Sequence, residues 1–130
     1  MRTNAGTDLV CKAIGDTATQ PAAANYLALS ASTATRNATD TTLAGEIVTA
    51  SGGLIRKQCV FAHTTSTSTY TETATHTANG NDTLSVVIAS AGLLNASSSG
   101  TLAFQWLYGT TATLSLSGDA ITTTFTGTIS

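Results

Sequence analysis

From residue 67 to residue 77 every odd-numbered position is threonine, and the positions between hold Ser68, Tyr70, Glu72, Ala74 and His76. Successive side chains of a strand point to opposite faces, so this alternation predicts one long strand with a six-threonine face. Residues 120–130 repeat the device, with Ile121, Phe125 and Ile129 on one side and Thr122, Thr124, Thr126 and Thr128 on the other. Further strands are expected at 26–30, at 54–63, at 83–90 with Leu84, Val86 and Ile88 on one face, and at 101–108 with Leu102, Phe104 and Trp106 on one face. A short one follows where Leu114 and Leu116 alternate with serines. Breaks fall at Gly52-Gly53, Gly92-Leu93-Leu94-Asn95, Ser97-Ser98-Ser99-Gly100 and Gly118-Asp119, and Asn79-Gly80-Asn81-Asp82 is the strongest turn signal.

One segment departs from the β pattern. Leu9, Val10, Ala13 and Ile14 recur at helical spacing behind Thr7, a candidate N-cap, and Gly15 ends the run. This predicts a short amphipathic helix over residues 8–14. Residues 16–25, with Pro21 and four alanines, read as a loop, the hydroxyl-rich tract 31–42 as an exposed loop, and 43–47 as one helical turn or an irregular connection. The whole fits a mainly β chain, a β-sandwich or jelly-roll-like single domain with a short N-terminal helix. Residues 1–15 form an N-terminal arm and helix, and 16–130 the sandwich. Its core is expected from Leu84, Val86, Ile88, Leu102, Phe104, Trp106, Ile121 and Phe125.

Composition reinforces the strands. Of 130 residues, 28 are Thr and 13 are Ser, and threonine's branched side chain suits a pleated surface better than a helix. Thirty-one large apolar residues supply one thin core, so oligomerisation or docking on a larger assembly would add stability. Hydrophobic content of 42% with a net charge of −2 excludes a disordered chain. Five basic residues without a cluster leave no footprint for nucleic acid or anionic lipid. No apolar run reaches the length of a membrane span, and residues 1–13 lack the apolar core of a signal peptide, so synthesis in a cytoplasm is expected. Cys11 and Cys59 fit neither a CxxC motif nor a disulfide framework and read as reduced, buried thiols.

Candidate chemistry is sparse. The titratable groups are His63, His76, Asp8, Asp16, Asp40, Glu46, Glu72, Asp82 and Asp119, and no GxSxG, Walker or HExxH motif gathers them. Glu72 and His76 share a strand face but stand roughly 13 Å apart by strand rise, too far for one ion. Asn79-Gly80-Asn81-Asp82 reads as a hairpin turn before it reads as a calcium loop. The sequons at Asn37, Asn81 and Asn95 follow from the Thr/Ser content. Trp106 could stack a sugar, but its place in the Leu102-Phe104-Trp106 stripe makes it a core residue. No catalytic, cofactor-binding or metal-binding residue is assigned, and an enzyme is not expected.

Several ordered blocks carry a resemblance. Arg2-Thr3-Asn4-Ala5-Gly6-Thr7-Asp8, Ala22-Ala23-Ala24-Asn25-Tyr26-Leu27-Ala28-Leu29 and Asp40-Thr41-Thr42-Leu43-Ala44-Gly45-Glu46-Ile47 begin the series. Gly53-Leu54-Ile55-Arg56, Phe61-Ala62-His63-Thr64, Tyr70-Thr71, Gly92-Leu93-Leu94-Asn95-Ala96, Ser99-Gly100-Thr101-Leu102 and Gly118-Asp119-Ala120-Ile121-Thr122 continue it. Together they resemble a family of small β-rich virion structural proteins of tailed bacteriophages, labelled tail-fibre-like or decoration proteins. Where relatives tend to have Phe in the Gly-Leu-Phe-Asn-Ala block, this chain has Leu94. The resemblance implies a many-copy building block without catalytic residues. The leading expectation is a capsid decoration (cement) protein, a homo-oligomer, guessed to be a trimer, on the major capsid protein of a virion assembled in a bacterial cytoplasm. The alternatives are a tail or tail-fibre component that binds the host surface and, further off, a small hydrolase or carbohydrate-binding module.

Overall fold

The computed structural model describes all residues, Met1–Ser130. Helix α1 (Asn4–Gly15) precedes seven strands: β1 (Tyr26–Ser30), β2 (Lys57–Gln58), β3 (Val60–His63), β4 (Thr69–Thr77), β5 (Val86–Leu94), β6 (Leu102–Leu114) and β7 (Ala120–Thr128). They build two antiparallel sheets, ordered β2-β1-β5-β6 and β3-β4-β7. The chain is mainly β, a sandwich-like domain with a short N-terminal helix, as the alternation predicted. One stretch of chain serves both sheets: Lys57-Gln58 pairs with β1, Val60–His63 pairs with β4, and Cys59 between them donates its N–H to the Asn25 carbonyl at 2.7 Å. The strand expected over 54–63 is therefore two short strands in different sheets.

The two sheets differ in how they are covered. In the four-stranded sheet Leu27, Leu29, Ile88 and Leu93 face the main core with Leu54 and Ala74, while Ala28, Leu94 and Leu102 pack with Leu43 in a second cluster. Alternate residues of β1 enter different clusters, so this sheet is buried on both faces. A doubly buried strand loses its alternation and reads as an apolar run. That is why Gly92-Leu93-Leu94, expected to be a break, lies inside β5. Gly92 is needed there because a Cβ would press on the Leu102 side chain and the Phe104 carbonyl. Of the expected core, Ile88 and Leu102 are fully buried, whereas Leu84, Val86, Phe104, Trp106, Ile121 and Phe125 pack from its margin. Leu27, Leu29, Leu54 and Leu93 form its centre.

β6 corrects a second expectation. The strand at 101–108 and the one at Leu114 are a single strand, interrupted by a bulge in which residues 108–111 stand opposite Ala89 alone. Leu116 is exposed in the following turn, where Asp119 accepts the N–H groups of Ser115 and Leu116 at 2.8 and 2.9 Å.

The helix begins earlier than its periodicity predicted. Thr3, not Thr7, is the N-cap: its Oγ1 accepts the Gly6 N–H at 2.9 Å and donates to the Leu102 carbonyl. The backbone leading into it pairs with the edge of β6, Thr3 N–H to Ala103 O at 3.0 Å and Gln105 N–H to Met1 O at 2.8 Å. Tertiary pairing selects this cap over the local alternative. Gly6 is the only buried residue of α1, and a Cβ there would collide with the Ala103 carbonyl. The helix is thus held by its first turn, and Cys11, expected to be buried, is exposed.

The tract 31–42 is a loop exposed along most of its length, as expected, and a few of its residues pin it across the four-stranded sheet. Arg36 is buried and donates through Nη2 to the Ser32 carbonyl at 3.0 Å and to Ser90 Oγ. Gln105, fully buried, donates to the Asn37 carbonyl at 3.0 Å and to Asp40 at 2.7 Å. The main core lies between the sheets, and the outer face of the three-stranded sheet carries no such cover.

Candidate functional site

The acids flagged in the sequence serve mainly as structural clamps. Asp82 closes the turn after β4 and collects the N–H groups of Asn79 and Gly53 at 2.8 and 2.9 Å. Asp16 accepts the N–H groups of Ala18 and Thr19 at 2.9 and 3.0 Å, and hydrogen bonds from the Thr19 hydroxyl and backbone hold its carboxyl below the ordinary range. The Asn37 N–H and the Gln105 amide do the same for Asp40. Glu46 forms a two-point ion pair with Arg56 at 2.6 and 2.9 Å. A carboxylate committed to backbone N–H donors is a poor acid or base for a substrate.

Glu72 and His76 are the exceptions. Both lie on the inward face of β4 and both are buried. Glu72 Oε2 has no hydrogen-bond partner, and burial raises its carboxyl above the ordinary value. His76 shares Nε2 with the Leu27 carbonyl at 3.2 Å, its Nδ1 is unpartnered, and burial lowers its pKa to about 4. Half-buried Cys59 has its thiol pushed up to about 11, by burial first and by the Glu72 charge second. Glu72, His76 and Cys59 do not come together as a set that could hold a metal ion. His63 is exposed on β3, with Nδ1 2.8 Å from the Thr69 carbonyl.

The aromatic residues form a chain at one end of the sandwich. Phe61 stacks on Tyr70 at 5.9 Å, and Phe125 touches Tyr70, Phe104 and Trp106 at 6.2, 4.8 and 5.5 Å. Trp106 is half-buried against the core and offers no open stacking platform. A groove of about 500 Å³ opens beside this chain, between Val10 and Ile14 of α1 and Tyr70, Phe104, Phe125 and Ile129.

The largest organised feature is the outer face of the three-stranded sheet. β4 and β7 are neighbours, so the two threonine faces merge, with Thr69, Thr71, Thr73 and Thr75 opposite Thr128, Thr126, Thr124 and Thr122. Val60 and Ala62 extend the face onto β3 by their register with Thr73 and Thr71. The hydroxyls of Thr73 and Thr124 lie 3.1 Å apart, and those of Thr75 and Thr122 2.8 Å. Pairs that satisfy each other ask little of whatever covers them. No outward position on these strands is charged. No protein-family model matches the chain, and no curated protein matches it. The face and the groove therefore stand on their own chemistry. Periodicity showed each threonine face but not that the two adjoin; the available signal was that both strands carry a run of alternating threonines, because Thr–Thr pairs stabilise cross-strand neighbours.

Proposed function

We propose that the chain is a non-enzymatic structural protein of a tailed-bacteriophage virion, a capsid decoration protein that binds the assembled shell through the threonine face of its three-stranded sheet. The observation that carries this reading is the merged, uncharged face of β4 and β7. Such a surface can be covered by a protein partner without stripping water from a charge, and its paired hydroxyls are already satisfied. The resemblance to phage virion proteins supports the reading, as does the commitment of most carboxylates to backbone clamps rather than to a shared cleft. Partners are then the major capsid protein and further copies of the chain. Cryo-electron microscopy of the particle tests it. Copies distributed over the head shell are the expected result; copies confined to the tail would replace it with the tail-component reading.

A further inference from the structure

Of the four sheet edges, three are blunted. β2 is two residues long and carries Lys57, and β3 is four residues long and continues from it through Cys59. The outer edge of β6 is paired with the chain's first residues at Ala103 and Gln105, and beyond them it is bent by the bulge at 108–111. β7 is different. It is nine residues long, carries no charge and no proline, and runs in unbroken register with β4.

The ends of that ladder show which backbone groups are free. The Ala78 N–H donates to the Asp119 carbonyl and the Ile129 N–H to the Ser68 carbonyl, both at 2.8 Å. Even positions of β4 therefore exchange bonds with odd positions of β7. The N–H and C=O groups of Thr122, Thr124, Thr126 and Thr128 point to the open side, and no turn or loop hydrogen bond reaches them. Natural sheets shorten, bend or charge such an edge because it templates pairing with another strand.

The sequence of the strand identifies the partner. About Phe125, Thr124 mirrors Thr126, Thr122 mirrors Thr128 and Ile121 mirrors Ile129; only Thr123 with Gly127 and Ala120 with Ser130 differ. We propose that β7 pairs antiparallel with β7 of a second copy across a two-fold axis at Phe125, joining two three-stranded sheets into one of six strands. This register sets Thr124 against Thr126 of the partner subunit on the outer face. On the inner face it sets Ile129, 71% exposed, against Ile121 of the partner subunit. The incoming strand starts at the end of β7 where the apolar groove opens beside Ile14, itself 80% exposed. The pairing is isologous, so it builds two-fold assemblies rather than the trimer guessed from the sequence. It also doubles the threonine face, and it holds whichever particle the protein serves.

Sedimentation velocity and hydrogen exchange on the purified chain test this, with Thr124→Pro as the variant. The Thr124 N–H takes no part in pairing with β4, so proline removes an intermolecular donor from an edge position that tolerates it. The wild type should sediment at twice the chain mass and Thr124→Pro at half that value with an unchanged circular dichroism spectrum. The amides of Thr122, Thr124, Thr126 and Thr128 should exchange at least tenfold more slowly in the dimer than after dilution to monomer. If the variant fails to fold, the wild-type exchange pattern still decides. A wild-type monomer or trimer, or an oligomer whose four edge amides exchange freely, would overturn the proposal.

Discussion

At the scale of single residues, two buried groups on one face of β4 respond to pH in opposite senses. His76 is fully buried, with a pKa lowered from 6.5 to about 4, so the folded state takes up its proton less readily than the unfolded chain. Its contribution is complete above pH 6.5 and is lost as pH falls through about 4, a loss on the order of 3 kcal/mol. Glu72 acts in the opposite sense. Its raised carboxyl favours the protonated form in the fold, so its contribution is complete below the ordinary value of 4.5 and is lost as pH rises. The two partly cancel in mild acid. Glu72→Gln should therefore raise stability at pH 7 and make the loss on acidification steeper, because the contributions of His76 and of the clamped Asp16, Asp40 and Asp119 carboxylates, all lost as pH falls, are then unopposed. Urea unfolding midpoints from pH 4 to pH 7.5 check this; a variant whose profile parallels the wild type would show that the Glu72 carboxyl is not desolvated.

At the scale of elements, α1 is held by close approach of its first turn rather than by a broad apolar stripe. Gly6→Ala should push that turn off the Ala103 carbonyl and cost about 1–3 kcal/mol, leaving the β-type circular dichroism intact below the transition. Thermal unfolding of the variant measures it, and an unchanged midpoint would mean that the helix is not anchored there. The same element shows what a sequence can and cannot disclose. Its apolar spacing announced a helix, but the choice of Thr3 over Thr7 depends on backbone bonds to residues about a hundred positions away. β1, β4 and β7 were legible from their residues, the last two because one face is buried and one is bare. β5 was misplaced because a strand covered on both sides has no alternation to read, and β6 was split because its bulge breaks the period. The threonine faces could be read one by one. Their union could not, since a period of two reports which way a side chain points and not which strand lies beside it.

At the scale of the whole molecule, the asymmetry of cover between the sheets decides what the protein presents. Arg36, Asp40 and Leu43 lie over one face of the four-stranded sheet, and the sandwich core lies over the other. Only the three-stranded sheet offers an ordered flat face to a large partner. If that face seats on the shell, charge placed there should abolish binding without disturbing the fold. Thr71→Lys with Thr126→Glu is the informative pair, because the two positions are directly opposite and outward. Opposite charges across a strand pair keep the sheet together, so stability should change by no more than about 0.5 kcal/mol. A shell that covers the face would have to desolvate both charges, and occupancy on particles should fall by roughly tenfold or more, equivalent to about 1.4 kcal/mol. Reconstitution of stripped particles with wild-type and variant protein, scored by bound copies per particle, measures the difference. Equal occupancy would move the contact off the threonine face and leave the groove beside α1 as the surface to alter next, through Ile14 and Ile129.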